Sequence, residues 1–563
     1  MKVTEAIAKA LANLGADTMF GVVGSGNFHL TNALIAHGVR YVAARHECGA
    51  ASMADAWGRL AGRPALLTLH QGPGLTNALT GITEAAKSRT PMLVLAADVS
   101  ARAITSNFRI DVSAIASGTG ATAARLHSTG FAVDDAVRAY RTARDERRTV
   151  VLGLPLDVQA GECTWPGNPE ARMAEPAPPS QRQVADLAAV LADASRPVFV
   201  AGRGARSPAA RTALEELAGR CGALLATSAA AKGLFRGNPW DLDVSGGFAS
   251  PLAVELIANA DVLVGWGCSL NMWTTRHGTL IGRGTTVVQV DNDHSAIGRH
   301  RQVHLGVVGD VALTASAVAG LLEPQPGDAG EAYAGERDAD GPRAIGYRSA
   351  ELRNGLAARV RWRDVPYDDE SDSNRIDPRT LTIALDDLLP AERIVAIDSG
   401  NFMGYPSMFL SVPDQDGFCF TQAYQSIGLG LASAIGSAIA RPDRLVVAAL
   451  GDGGALMGIS ELETAARLGL SMVIVIYNDE AYGAEVHHFG PDGYPLETVR
   501  FPPADLAAIA RGFGCDAVTV RTAEDLGPVR DWLEGRPGRP IVIDAKVTSD
   551  HGAWWLEEAF RGH

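Results

Sequence analysis

Two acidic residues stand where they can share a hard cation. Asp452 lies in Gly451-Asp452-Gly453-Gly454, and Asp479 in Asn478-Asp479-Glu480-Ala481-Tyr482. Each follows a short apolar run, LVVAAL at 445–450 and MVIVIY at 472–477, with the helical segment ISELETAARLGL between them. That order predicts one strand–helix–strand unit, whose parallel strands bring both carboxylates to the same sheet edge. Paired carboxylates suit Mg²⁺, which keeps an octahedral oxygen shell and shares it with phosphate oxygens. The glycines let backbone N–H groups approach a diphosphate at a helix start, where the helix dipole favours anions. A Gly-rich turn alone is only a tight connection; the Asn-Asp pair at the next strand end makes it a candidate cofactor site.

Those residues need a scaffold. Similar apolar runs recur as PALLTL (64–69), MLVLAA (92–97), TVVLGL (149–154), PVFVAG (197–202), DVLVGW (261–266), TVVQVD (286–291) and RIVAID (393–398). Runs this short and this uniformly apolar suit strands covered on both faces. Helical segments separate them, which predicts an α/β chain of three doubly wound parallel-sheet domains. Residues 163–182, with five prolines, and the Gly/Asp/Glu-rich 323–344 read as linkers. The expected organisation is a first domain over 1–165, a central domain over 183–322, a linker over 323–375 whose second half is polar and irregular, and a third domain over 376–563. Ligands of such sheets bind beyond the carboxyl ends of the strands. That rule directs attention to His70-Gln71-Gly72-Pro73-Gly74, Asp398-Ser399-Gly400-Asn401, Gly451–Gly454 and Asn478-Asp479.

Composition narrows the function. The chain has 563 residues, 47% of them hydrophobic and 20% charged, which is globular and not disordered. Its net charge of -14 argues against nucleic-acid and membrane-surface partners, because phosphate surfaces need a basic footprint. No run is apolar enough to span a bilayer. The first twenty residues read as an amphipathic helix without the apolar core of a secretory signal. Six cysteines at 48, 163, 221, 268, 419 and 515 form no CxxC pair. They are expected to be reduced thiols in a cytoplasmic protein.

The GDGG…ND pattern resembles the thiamine diphosphate-binding motif, GDG followed by NN, with Asp479 in place of the second Asn. RYVAARHECGAASMADAWGRLAGRPA (40–65) in turn resembles the first-domain motif of the acetolactate synthase / benzoylformate decarboxylase (2-oxo acid decarboxylase) family, with Glu47 at its catalytic position. The resemblance covers nearly the whole chain. It implies that Glu47 bonds N1′ of the aminopyrimidine and favours the imino form at N4′. In SIGLGLASAIGSA (426–438) it places Ile427 beneath the two cofactor rings, with the carbonyl of Gln425 accepting from the N4′ amino group. It makes Asn401 and Phe402 of DSGNF, Gly451, Gly453, Gly454, Asn77 and Tyr482 cofactor contacts, and Asp452, Asp479 and Ala481 the Mg²⁺ ligands. It also implies a homodimer or homotetramer with active sites between the first domain (block one) of one subunit and the third domain (block three) of another.

The reaction depends on other positions. Ser25 in FGVVGSGNFHLTNAL and His70 in TLHQGPGLTNA resemble a serine and a histidine of benzoylformate decarboxylase. A histidine there can trade protons with the substrate carboxylate. Glu485 matches a glutamate of pyruvate decarboxylase-type enzymes; acetolactate synthases carry methionine there and tryptophan where this chain has Phe489. Phe108 and Arg125, by contrast, resemble an acetolactate synthase segment. Ser269 replaces the arginine of flavin-binding members, so FAD is not expected, and Gly202 with Gly204 is only a GxG pair. Which of His29, His46, His487 and His488 faces the site stays open at this level. The expected activity is a thiamine diphosphate- and Mg²⁺-dependent lyase or carboligase: decarboxylation of a small 2-oxo acid with protonation or carboligation of the enamine intermediate. The alternatives are an acetolactate synthase-like transferase, a diketone hydrolase or lyase on the same fold, and a catalytically silent scaffold.

Overall fold

Three parallel six-stranded sheets carry the chain in the computed structural model, which describes residues 1–170, 174–323, 345–535 and 538–556. Sheet one contains β1 (Thr18–Gly21), β2 (Arg40–Ala43), β3 (Ala65–Leu69), β4 (Met92–Asp98), β5 (Thr122–Arg125) and β6 (Thr149–Pro155), in the order β2-β1-β3-β4-β6-β5. Sheet two contains β7 (Pro197–Ala201), β8 (Leu224–Thr227), β9 (Asp241–Val244), β10 (Val262–Trp266), β11 (Thr286–Asp291) and β12 (Leu305–Val308), in the order β12-β11-β10-β7-β8-β9. Sheet three contains β13 (Arg393–Ile397), β14 (Phe418–Phe420), β15 (Leu445–Gly451), β16 (Met472–Asn478), β17 (Asp516–Val520) and β18 (Ile541–Lys546), in the order β14-β13-β15-β16-β18-β17. Every residue of β4, β6 and β16 is buried, as strands covered by helices on both faces must be.

Sheets one and three share one topology. In each, the order reverses between the first and third strands, opening a crevice at the carboxyl ends. Ser25 and His70 follow β1 and β3 at one crevice; Asn401 and Gly451–Gly454 follow β13 and β15 at the other. Sheet two has the order of a dinucleotide-binding fold, reversing between β7 and β10.

Blocks one and three pack through helices Glu47–Ala61 and Gly430–Ala440. The approach is close: a Cβ on Gly436 would overlap the backbone of Met53. Arg59 crosses this boundary with its side chain only 5% exposed. It donates from Nε to both Asp55 oxygens at 3.0 Å, from Nη2 to Glu84 at 2.7 Å, and from Nη1 to the Phe420 carbonyl at 2.7 Å. Both acids lie within block one, so a buried cation is matched before it reaches block three.

One expectation needs correction. Residues 350–359, read as irregular, form the helix Ala350–Arg359, capped by Ser349, whose hydroxyl accepts from Leu352 N at 3.1 Å. Leu356 is its only buried side chain, so the sequence carries no apolar stripe. Trp362 then anchors the segment by donating to the Phe248 carbonyl at 2.7 Å. Residues 324–344 of that linker lie outside the described residues. Among the described residues no helix is long and apolar enough to cross a membrane.

Candidate active site

In block three, β15 ends at Gly451 and a helix, Asp452–Met457, starts immediately. β16, beside it, delivers Asp479. The two carboxyls lie close enough to shift each other's titration. Burial pushes Asp452 up to about 6; burial and the neighbouring Asp452 charge push Asp479 up to about 8. Two buried acids this close share a proton unless a cation lies between them. Asn401 and Gly483 complete the cradle: a Cβ on Gly483 would overlap an Asp479 oxygen, and the Asn401 amide lies just beyond. Asn401 Oδ1 is buried without a hydrogen-bond partner. Phe402 stacks on Tyr477 with centroids 5.3 Å apart and backs Gly451, while the Tyr482 ring fills the space a side chain on Gly453 would need. Among the described residues no three His, Cys, Asp or Glu side chains form a metal group. A cation at this acid pair would therefore complete its shell from backbone and phosphate oxygens, as Mg²⁺ does. The acid pair, the orphaned amide oxygen and the glycine N–H groups at this strand-to-helix turn fit a metal-bound diphosphate.

The loop before helix Gly430–Ala440 is held in an unusual shape. Gln425 has φ +59° and Gly428 φ +88°. Asp398, buried at the end of β13, accepts from Gly428 N at 2.9 Å, Leu429 N at 3.3 Å and Ser399 N at 2.9 Å; burial pushes it up to about 6 against those bonds. Gln425 and Ile427 thereby project into a cleft of about 2250 Å³ shared with Asn401, Asp452, Asp479, Ala481, Tyr482, Glu485 and His488. His487 instead faces a separate depression beside Gly552 and His551. Gly202, Gly204 and Ser269 line the part of the cleft nearest sheet two.

The remaining sequence-predicted residues gather elsewhere. Glu47 opens helix Glu47–Ala61, and Asn77 Nδ2 donates to its Oε2 at 3.1 Å. His70 Nδ1 accepts from Gly26 N at 3.1 Å, which leaves the proton of a neutral ring on Nε2. Phe108 stands edge-on to His70 at 5.3 Å, and exposed Ser25 lies between two glycines that touch His70 and Gln71. None of Ser25, Glu47, His70 and Asn77 lines the block-three cleft of its own chain. His46 caps the Glu47 helix by accepting from Cys48 N at 3.1 Å, His29 is exposed, and Arg125 is paired with Asp98. The candidate residues thus form two half-sites. Glu84 and Glu461 were not among them, and Asp398 was pointed to without an assigned role. Asp398 alone had a signal in its position directly after a strand; the other two bond to backbone distant in sequence.

Comparison with known proteins identifies the family. Residues 1–116 match the thiamine pyrophosphate enzyme N-terminal TPP binding domain, 184–318 the central domain and 398–545 the C-terminal TPP binding domain. The chain is 29% identical to a probable 2-ketoarginine decarboxylase of Pseudomonas aeruginosa over 94% of this chain and 91% of that protein. It is 27% identical to an acetolactate synthase large subunit of Parasynechococcus marenigrum (96% and 87%) and 26% identical to a sulfoacetaldehyde acetyltransferase of Castellaniella defragrans (94% and 90%). Its fold is similar to that of the thiamine diphosphate-dependent 4-hydroxybenzoylformate decarboxylase of Rhodococcus jostii RHA1. The TM-score is 0.79 at 22% identity, covering 98% of this chain and all of the other.

Proposed function

The chain belongs to the thiamine pyrophosphate enzyme family, and we propose that it uses thiamine diphosphate and Mg²⁺ to decarboxylate a small 2-oxo acid, ending in protonation or in carboligation to a second carbonyl compound. The observation that carries this reading is the convergence of Asn401, Phe402, Gly453, Asp452, Asp479 and Tyr482 on one cleft at a sheet switch point. Asp452 and Asp479, with the Ala481 carbonyl, hold the cation; Asn401 and the glycine N–H groups hold the diphosphate. Ile427 and the Gln425 carbonyl set the angle between the rings. Glu47, oriented by Asn77, holds a proton at pyrimidine N1′. When bound, thiamine diphosphate supplies the electron sink that lets CO₂ leave. His70, with its donor nitrogen turned away from Gly26, carries the proton for the substrate, and Ser25 and Glu485 fix the carboxylate and acceptor.

The half-sites are complementary halves of an interface between two copies. Around Ser25 and His70 the exposed large apolar side chains are Val23, Phe28 and Phe108; around Gln425, Asp452 and Glu485 they are Tyr424, Leu456, Met457 and Phe489. Apolar rims on both halves suit a homodimer, or a tetramer built from it, that closes the cleft and excludes water. Six cysteines without a disulfide among them support a reducing, cytoplasmic setting. Glu485, in place of a methionine, and Ser269, in place of an arginine, favour decarboxylation without flavin. The transferase names among the relatives keep carboligation as the second outcome.

The test is a mass-spectrometric product assay with thiamine diphosphate, Mg²⁺ and pyruvate, longer 2-oxo acids or benzoylformate, each with and without an aldehyde. Free aldehyde supports the decarboxylase arm, and a 2-hydroxy ketone or acetolactate the carboligase arm. Cofactor binding without consumption of any 2-oxo acid would overturn the proposal in favour of diketone substrates.

A further inference from the structure

We infer that two buried carboxylates outside both half-sites, Glu461 and Glu84, are positioning residues, each reaching across the block one–block three boundary to hold the backbone just ahead of a cofactor-facing residue on the other side. Glu461 belongs to block three and starts helix Glu461–Arg467. It is 2% exposed. Its Oε1 accepts from Arg45 N and from His46 N, both at 3.0 Å, and Oε2 accepts from Arg45 N at 3.3 Å. The next residue is Glu47. Thr464 Oγ1 fixes the carboxylate by donating to Oε2 at 2.7 Å, and Gly49 leaves it room, since a Cβ there would overlap Oε1. An outer layer strengthens the same contact: Arg45 Nε donates to Glu463 at 2.6 Å, and Arg467 to the Ala43 carbonyl at 2.6 Å.

Glu84 is the counterpart in block one, at 1% exposure. Its Oε1 accepts from Ala423 N at 3.2 Å and its Oε2 from Tyr424 N at 2.7 Å. Gln425 comes next, in its left-handed conformation. Arg59 also grips this loop at the Phe420 carbonyl, and Asp398 grips its far end at Gly428 and Leu429. The segment that presents Gln425 and Ile427 is therefore suspended between a carboxylate of block one and a carboxylate of block three. Burying a carboxylate is costly, and here the backbone N–H groups that offset the cost are the ones immediately preceding Glu47 and Gln425. Apolar side chains could pack this boundary, but only an acceptor fixes two consecutive N–H groups in direction. Misplacement by about 1 Å can cost roughly 10²-fold in rate, which is the scale on which such a contact matters.

The inference rests on the reading of Glu47, Gln425 and Ile427 as cofactor-facing residues, and the experiment separates the two. Amide hydrogen exchange is measured on the cofactor-free full-length protein, and C2-proton exchange on added thiamine diphosphate with Mg²⁺. In Glu461→Ala, the Arg45 and His46 amides lose protection by about tenfold or more while Ala423 and Tyr424 keep theirs. C2-proton exchange slows by roughly 10- to 100-fold with cofactor affinity within about threefold of wild type. Glu461→Gln, which keeps an oxygen toward both N–H groups, restores most of the rate. Glu84→Gln perturbs Ala423 and Tyr424 instead, and weakens cofactor binding more than it slows exchange. Should Glu461→Ala fail to fold, Thr464→Val, which removes only the hydroxyl orienting Oε2, shows the same pattern at smaller amplitude. Unchanged protection at 45–46, or a C2-exchange rate equal to wild type in the folded variant, would overturn the inference. Absence of C2 exchange in the wild-type protein would instead overturn the cofactor reading, and the amide pattern would still report on the contacts.

Discussion

Glu47 and Asn77 meet at 3.1 Å on the block-one half-site, so the glutamate is oriented before any cofactor arrives. Glu47→Gln keeps that contact and removes the transferable proton. It is expected to lower 2-oxo acid turnover by about 10²–10⁴-fold with cofactor binding retained. Equal turnover in a folded variant, measured by 2-oxo acid consumption, would contradict the assignment and favour a scaffold. At the metal pair, Asp479→Asn restores the amide usual in the motif and removes one of two mutually repelling charges. Isothermal titration should show thiamine diphosphate–Mg²⁺ affinity held within about tenfold, whereas Asp479→Ala loses more than that. At this scale the sequence was informative wherever chemistry fixes spacing: Glu47, Asp452 and Asp479 follow strand ends or helix starts and carry local motifs. Glu84 and Glu461 were not legible, because each acts on backbone more than three hundred residues away and neither contact leaves a local pattern.

The elements were legible for a related reason. Strands such as β4 and β16 are buried on both faces and so read as unbroken apolar runs. Helix Ala350–Arg359 was missed because it buries only Leu356. Nor did the sequence show that helices Glu47–Ala61 and Gly430–Ala440 pack on each other, since small residues such as Gly436 mark close approach without naming the partner. Arg59, Asp55 and Glu84 hold that packing, which gives it a pH dependence. Burial pushes the Glu84 carboxyl up, but Arg59 and the N–H groups of Tyr424 and Ala423 outweigh it and hold it below the ordinary 4.5. A depressed carboxylate stabilises the fold above its unfolded value and loses that contribution as pH falls through the folded one. Glu84→Gln should therefore cost about 3 kcal/mol at pH 7 by chemical denaturation, and the gap from wild type should narrow below about pH 4.5. A gap that stays constant with pH would mean that the charge on Glu84 contributes nothing.

At the scale of the whole molecule, sheets one and three repeat one topology, and each places candidate site residues at the same switch point. One chain does not bring Glu47 and His70 to its own Asp452 and Ile427. The proposed pairing of a block-one half with a block-three half from another copy rests on the family resemblance and on the apolar rims of both halves, not on any periodicity in the sequence. The most direct test mixes two inactive variants, Glu47→Gln and Asp452→Ala, by co-refolding or co-expression in equal amounts. In a mixed dimer one site collects both defects and the other collects neither. Random pairing then predicts recovery of about a quarter of the wild-type thiamine diphosphate-dependent 2-oxo acid consumption, from parents that show almost none. Recovery near that level supports a site shared between two copies, with Glu47 and Asp452 on opposite sides of one cofactor. No recovery in a mixture shown by mass spectrometry to contain mixed dimers would contradict it.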